Sequence, residues 1–337
     1  MKKILVVGPA WVGDAVMAQS LLKTLKQQEG QVLIDVLAPA WSHPVLKSMP
    51  EVHEALKLPF QHGELALKAR YRLALTLRER SYDQAIVLPN SFKSALIPFW
   101  AKIPLRTGWL GEMRWLLLND IRINPKKIPL MISRFNALAH KKGEASEKFF
   151  YPSLVTQPEA VQKTLNQFDL ALNQPVLALC PGAEFGSSKR WLSSYYAAVA
   201  QAQLNEGWQV WLLGSSKDKI VTDEIEALIQ GNVKNLAGRT QLGEVINLLS
   251  VVEKVVTNDS GLMHIAAALE RPIVVIYGSS SPSFTPPLSS RAMILSANVE
   301  CQPCFKRECP LMDHQFMQCM HKLSPQIVLK AIQKISA

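Results

Sequence analysis

KILVVGPAWVGDAVMAQSLLKTLKQQEG, residues 3–30, reads as an apolar strand, a glycine-containing turn and an amphipathic helix. The helix sets Val16, Leu21, Leu22 and Leu25 on one face and is stopped by Gly30. Strand, turn and helix in that order form the repeating unit of a doubly wound α/β protein. Gly8 and Gly13 are separated by four residues, as in a phosphate-binding loop, but Asp14 and Ala15 follow where that loop needs lysine and then serine or threonine. A carboxylate at this turn would repel phosphate. Asp14 is therefore read either as a cap of the helix or as a base held against a ligand hydroxyl.

The same alternation runs outward from this unit. QVLIDVLAP, EALKLP and QAIVLPN are strand-like in the first half, and the pattern restarts with PVLALCPG, GWQVWLLGS, VKNLAG, EKVVTND and RPIVVIYGS. Intervening segments such as SSYYAAVAQAQLNEG are helical, here with Ser193 or Ser194 as cap and Gly207 as stop. A polar stretch over residues 153–175 shows no strand pattern and is taken as the linker. Two doubly wound domains are expected, residues 1–160 and 170–322, in a chain too long for most single cores. The final segment, 324–337, is a helix with a serine cap and Pro325 in its first turn, offered as one that packs back on the first domain. Ligands of such sheets bind outside the carboxyl ends of the strands, so a central cleft between the domains is the expected site.

Composition narrows the function classes. The chain has 48% hydrophobic and 19% charged residues, ordinary for a folded enzyme, which argues against disorder. No apolar run reaches the length of a membrane span. The basic start MKK resembles a signal peptide, but Pro9 breaks the apolar run early, so a first strand and a cytoplasmic location are expected. Lys and Arg outnumber Asp and Glu by 37 to 27, a net charge of +10 that favours an anionic partner. Charge alone does not choose among nucleic acid, an acidic membrane surface and a phosphorylated substrate.

Two loops of the second half suit a diphosphate. TNDSGLMHIAAAL, residues 257–269, follows a strand and opens a helix: Asp259 and Ser260 are good caps, Gly261 permits close backbone approach, and His264 lies one turn in. CPGAEFGSSKRW, residues 180–191, places Gly182, Gly186, Lys189 and Arg190 before another helix. A capped helix and a solvated basic loop would explain each alone; two such loops in one domain favour phosphate binding. No G-x-G-x-x-G follows any strand, so a dinucleotide site is not expected. In the first half Lys93, Arg106, Arg114, Arg122 and Arg134, interleaved with Trp109 and Trp115, suggest a wall for an anionic, partly amphipathic substrate.

Cys301, Cys304, Cys309 and Cys319 crowd one segment, with His314 and His321 nearby. The compact spacing admits a structural zinc site, although the second half of the set lacks a C-x2-C knuckle; reduced thiols in a loop are the alternative.

At this point the motifs GPAWVGDAVMAQSL, LPNSFKSAL, RTGWLGEMR, CPGAEFGSSKRW, NLAGRTQL, TNDSGLMHIAAAL and YGSSSPSFTPPLS, in this order over most of the chain, resemble the ADP-heptose:lipopolysaccharide heptosyltransferases of glycosyltransferase family 9. The resemblance implies a GT-B architecture, two Rossmann-like domains facing a central cleft, with the acceptor on the first and ADP-heptose on the second. It implies inverting transfer without a catalytic metal or required cofactor. Asp14 would be the base and Lys189 would stabilise the leaving diphosphate. Ser260, Gly261 and the following amides would hold the phosphates, with Gly13, Gly182, Ser216, Asp259 and His264 beside the donor. Lys93, Arg106 and Arg114 would face the acidic inner core of the lipopolysaccharide acceptor. Where a related member carries a glutamate for the nucleotide ribose, this chain reads GSSKD, with Ser216 at the place and Asp218 as an alternative. The implied protein is a monomer, peripheral at the cytoplasmic face of the inner membrane, with no nucleic-acid partner. Competing readings are another GT-B enzyme, such as a nucleotide-sugar epimerase or a transferase with a different donor, and, from a different class, a basic zinc-containing nucleic-acid-binding protein. Aromatics at 7% and scattered do not favour the last.

Overall fold

The computed structural model describes residues 1–60, 63–144 and 148–335. Its chain divides into two compact units, Met1–Leu154 and Val155–Ala337. In the first, the strands are β1 (Lys2–Val7), β2 (Val32–Pro39), β3 (Glu54–Leu58), β4 (Gln84–Val87), β5 (Leu105–Trp109) and β6 (Asp120–Arg122). In the second they are β7 (Val176–Cys180), β8 (Gln209–Leu212), β9 (Lys234–Asn235), β10 (Lys254–Asn258), β11 (Ile273–Tyr277) and β12 (Ala292–Ser296).

Both sheets are wholly parallel and share one topology. The first runs β3-β2-β1-β4-β5-β6 and the second β12-β11-β10-β7-β8-β9, the same order traced from its other edge. This is the Rossmann order, in which the chain reverses direction between the first and fourth strands of each sheet. Parallel strands covered on both faces should be apolar throughout, and the central strands are: VLALC of β7 and IVVIY of β11 are buried at every position. Three strands escaped the sequence reading. β5 and β6 carry arginine and aspartate within short segments, and β12 is an edge strand only half covered.

The core of the second unit joins Leu177, Leu179, Val256 and Ile276 of the sheet to Trp191, Tyr196 and Val199 on one helix and Val328, Ala331 and Ile332 on another. That last helix, Pro325–Lys334, offered from sequence as one that packs on the first domain, lends Val328, Ala331 and Ile332 to the core of the second unit, where its apolar stripe finds the sheet. Residues 336–337 of the expected helix lie outside the described residues. The expected linker also contains structure: helix Pro158–Gln167 lies inside it and contacts helix Leu242–Leu249, with Asn247 donating to Thr164 Oγ1 at 3.0 Å.

Candidate functional site

In each unit the two central strands send their following helices to opposite faces of the sheet, and this opens a crevice at their carboxyl ends. In the first unit β1 leads into helix Val12–Glu29 and β4 into helix Phe92–Trp100. Asp14 stands in the first turn of the former and Lys93 in the first turn of the latter, so both occupy the carboxyl edge at the crevice. The helix begins at Val12 with Trp11 as its N-cap, which places Asp14 third in the helix, inside its first turn. Gly13 likewise lies within the helix and not in the turn before it.

The cationic wall is largely redirected. Arg114 is fully buried. Its Nε donates to the Trp109 carbonyl at 3.1 Å, Nη2 to Asn90 Oδ1 at 3.1 Å and Nη1 to the Ser91 carbonyl at 3.3 Å, with further bonds to the Pro89 and Trp109 carbonyls. Burial lowers its guanidinium to about 10, which still leaves it charged at neutral pH. Arg106 donates through Nε to the Leu117 carbonyl and through Nη1 to that of Ile103, each at 2.6 Å. Both arginines tie loops together, and Arg114, fully enclosed, has no exposed surface to offer an acceptor. Trp109 is also buried and donates to the Arg134 carbonyl at 3.0 Å, while Trp115 remains exposed. Arg122 grips Asp120 through two nitrogens at 3.0 and 2.9 Å. Of the three acceptor residues expected from sequence, Lys93 keeps a place at the crevice.

At the second crevice the structure brings the donor-side residues together. Lys189 ends the short 3-10 turn Ser187–Lys189 after β7, and Asp259 follows β10. Lys189 Nζ donates to Asp259 Oδ2 at 2.6 Å, and both side chains are largely buried. Helix Gly261–Ala268 begins beside them with Ser260 as N-cap; the Ser260 side chain makes no cap bond, and its hydroxyl lies 3.3 Å from Thr257 Oγ1. His264 is buried one turn in, and burial lowers it to about 4, with Asp259 opposing and Lys189 reinforcing that shift. It is a neutral imidazole at physiological pH.

Asn258, which the sequence reading passed over, locks the two loops. Fully buried at the end of β10, it donates to the Pro181 carbonyl at 2.6 Å and accepts from the Trp191 backbone N–H at 3.1 Å and the Tyr196 hydroxyl at 3.0 Å. Its one sequence signal is a carboxamide ending an otherwise apolar strand. Ser193 is the first residue of its helix and Leu192 the N-cap, because the Ser193 hydroxyl bonds Glu224 at 2.9 Å instead.

Gly182 is glycine for a steric reason: a Cβ there would sit 2.3 Å from Asp218 Cγ. Asp218 turns back to form a capping box, accepting from the Ser215 N–H at 2.9 Å and the Ser215 hydroxyl at 2.7 Å. That engagement removes one oxygen of Asp218 from use as a ribose ligand. Ser216 is exposed on the same turn, against Gly238.

The four cysteines of the 301–319 segment lie near one another. Cys301 is exposed, Cys304 and Cys309 half-buried and Cys319 buried, all as free thiols. Burial pushes Cys319 up to about 11, and its three neighbours in the segment add to the shift. Cys309 Sγ accepts from the Met317 N–H at 3.3 Å. Among the described residues the group whose potential ligand atoms converge within 4.8 Å is Asp35, His53 and Glu54. The Asp35 group is itself an ion network, with Arg80 and Tyr82 bonded to the Asp35 carboxylate.

The sequence profile of Glycosyltransferase family 9 (heptosyltransferase) matches residues 70–314. Lipopolysaccharide heptosyltransferase 2 of Escherichia coli strain K12 is 50% identical over 304 residues, 87% of each chain. Lipooligosaccharide heptosyltransferase 2 of Haemophilus influenzae is 47% identical over 87% of this chain and 88% of its own. Among solved structures, that of the E. coli ADP-heptose lps heptosyltransferase II is similar with a TM-score of 0.89 and 44% identity, covering 99% of this chain and 98% of that one.

Proposed function

The chain belongs to glycosyltransferase family 9, the heptosyltransferases, and from that premise we propose its reaction in full. It is a glycosyltransferase that transfers heptose in assembly of the lipopolysaccharide core. The donor is ADP-heptose and the acceptor the inner-core heptose of lipopolysaccharide. Transfer proceeds with inversion, as the two Rossmann-like units of the GT-B class permit.

Asp14 accepts the proton of the acceptor hydroxyl as its oxygen forms the new bond to the anomeric carbon. The bond from that carbon to the diphosphate oxygen breaks on the opposite face, and ADP departs with the electron pair. Negative charge therefore grows on the diphosphate, and Lys189 is placed to meet it. In the ligand-free protein Asp259 neutralises Lys189 and holds it in position. A prepositioned cation of this kind contributes several kcal/mol, on the order of 3, to the transition state. The N–H groups that open helix Gly261–Ala268 supply further donors. Neutral His264 adds a polar group without a second charge.

One observation supports this reading above the others: Lys189 and Asp259, from loops after neighbouring strands, are paired beside a helix N-terminus. The proposal gives no step to a cofactor or to the cysteines. It places the protein as a monomer, peripheral at the cytoplasmic face of the inner membrane, where a net charge of +10 draws it to anionic lipid around its anchored acceptor. No helix among the described residues is long and apolar enough to cross a membrane. The deciding experiment is incubation with ADP-heptose and a heptose-acceptor lipopolysaccharide, following ADP release. Release from a different nucleotide sugar, with none from ADP-heptose, overturns the donor assignment.

A further inference from the structure

The cysteine-rich segment has no part in the reaction as drawn, yet its backbone runs directly against the Lys189 loop. The Ser188 N–H donates to the Arg307 carbonyl at 3.1 Å, and the Ser188 hydroxyl bonds the Lys306 carbonyl and Ser279 Oγ. Gly186 must be glycine here, since a Cβ would lie 2.2 Å from the Arg307 carbonyl oxygen. The segment is itself anchored to the end of β11: the Phe305 N–H donates to the Ser279 carbonyl at 2.7 Å, and Gln302 Nε2 donates to the Gly278 carbonyl at 2.7 Å. Residues 302–307 thus form a strap fixed at the carboxyl edge of the sheet, one residue from the catalytic lysine.

The strap carries a cation to that place. The Arg307 guanidinium lies 5.6 Å from the centroid of the Phe185 ring, and Lys189 Nζ lies 5.1 Å from the same centroid. A ring face satisfies none of the guanidinium N–H groups, and no hydrogen bond or ion pair to that guanidinium is found among the described residues. Lys189 has Asp259 as counter-ion; Arg307 has none. Two cations share one aromatic ring, and only Lys189 of the two has a carboxylate partner, Asp259. A guanidinium presents paired N–H groups in a planar fork that matches two phosphate oxygens, whereas lysine meets one as a point charge.

We propose that Arg307 is a second diphosphate-binding residue of the nucleotide-sugar site, delivered to the Lys189 loop by the cysteine-rich strap. The inference rests on the donor assignment made above. Binding of ADP displaces no protein partner of Arg307 and converts its exposed guanidinium into a charge-assisted pair with the phosphates.

The test is titration calorimetry with ADP and, as a probe without phosphate, adenosine, on wild type and the variants Arg307→Ala, Arg307→Lys and Lys189→Ala. Arg307→Ala is expected to weaken ADP by ~10-fold or more, the scale of losing a hydrogen-bonded charge. Arg307→Lys recovers part of that loss, adenosine affinity is unchanged throughout, and KM for ADP-heptose rises more than kcat falls. Wild-type ADP affinity in Arg307→Ala, with affinity lost in Lys189→Ala, overturns the role of Arg307 and leaves the donor assignment standing. Wild-type affinity in both overturns the donor assignment and this inference together. Equal loss of ADP and adenosine with a lowered melting temperature would mean that Arg307 serves only the fold.

Discussion

Lys189 and Asp259, 70 residues apart in sequence, close a 2.6 Å ion pair across the crevice of the second sheet. Their strands, β7 and β10, are hydrogen-bonded neighbours, with Thr257 opposite Cys180. The pair keeps a lysine rigid where an anion is to be met. Lys189→Ala should therefore lower kcat/KM for ADP-heptose by ~100-fold or more, the usual cost of removing a prepositioned electrostatic donor. Steady-state ADP release measures it; a loss under fivefold removes Lys189 from the mechanism.

Asp14 is expected to act on the acceptor and not on the nucleotide. Asp14→Asn keeps the size of the side chain but cannot accept the proton, and kcat should fall ~100-fold to 10,000-fold. ADP affinity by calorimetry should remain within about twofold of wild type, since a base on the acceptor leaves nucleotide contacts intact. Normal turnover in this variant refutes the assignment.

His264 makes stability depend on pH. Its native pKa is lowered to about 4 from an ordinary 6.5, so between these values the unfolded chain binds the proton that the folded one refuses. The stabilisation is complete above pH 6.5 and is lost as pH falls toward 4. At pH 5 the loss is about 2 kcal/mol relative to pH 8. Urea unfolding of wild type and His264→Gln at both pH values should show that loss reduced in the variant. Identical pH slopes would contradict a buried neutral histidine.

Arg114 should matter for folding without touching the nucleotide. Arg114→Ala leaves the carbonyls of Pro89, Ser91 and Trp109 without their buried donor, and the first unit should lose about 3 kcal/mol. Arg114→Lys should restore little, because an ammonium cannot span carbonyls that the planar fork bridges. Chemical denaturation gives the stability, and unchanged ADP affinity separates this role from a donor-site one.

Gly186→Ala probes the strap. The new methyl meets the Arg307 carbonyl, a backbone atom that cannot rotate aside, so strap and loop must separate at a cost of about 1–3 kcal/mol. Both the melting temperature and the ADP affinity should fall; a variant with both unchanged would show that the strap gives way freely.

The sequence by itself determined a great deal of the architecture. Apolar strands ending in glycine-bearing loops, each followed by a helical pattern, are consequences of local periodicity, and they located the central strands of both sheets. The same loops announced Lys189, Asp259 and Ser260, because a cation and a helix start after a strand carry their chemistry in adjacent residues. Strands β5, β6 and β12 were missed, because charged residues in short segments and half-covered edge positions blur the apolar pattern.

Tertiary structure alone decided which charges face a ligand. Arg114 and Lys93 look alike in sequence, yet one is enclosed by carbonyls and the other stands at a crevice; the partner of a cation lies elsewhere in the chain, where composition cannot show it. The reasons for Gly182 and Gly186 are likewise distant atoms, Asp218 and the Arg307 carbonyl, and not a flexible loop. Asn258 gained its place because it is buried where three polar groups converge, and Arg307 because a strap from the far end of the unit passes beside Lys189. Local sequence sets the elements; the close approach of residues far apart along the chain sets what each polar group is for.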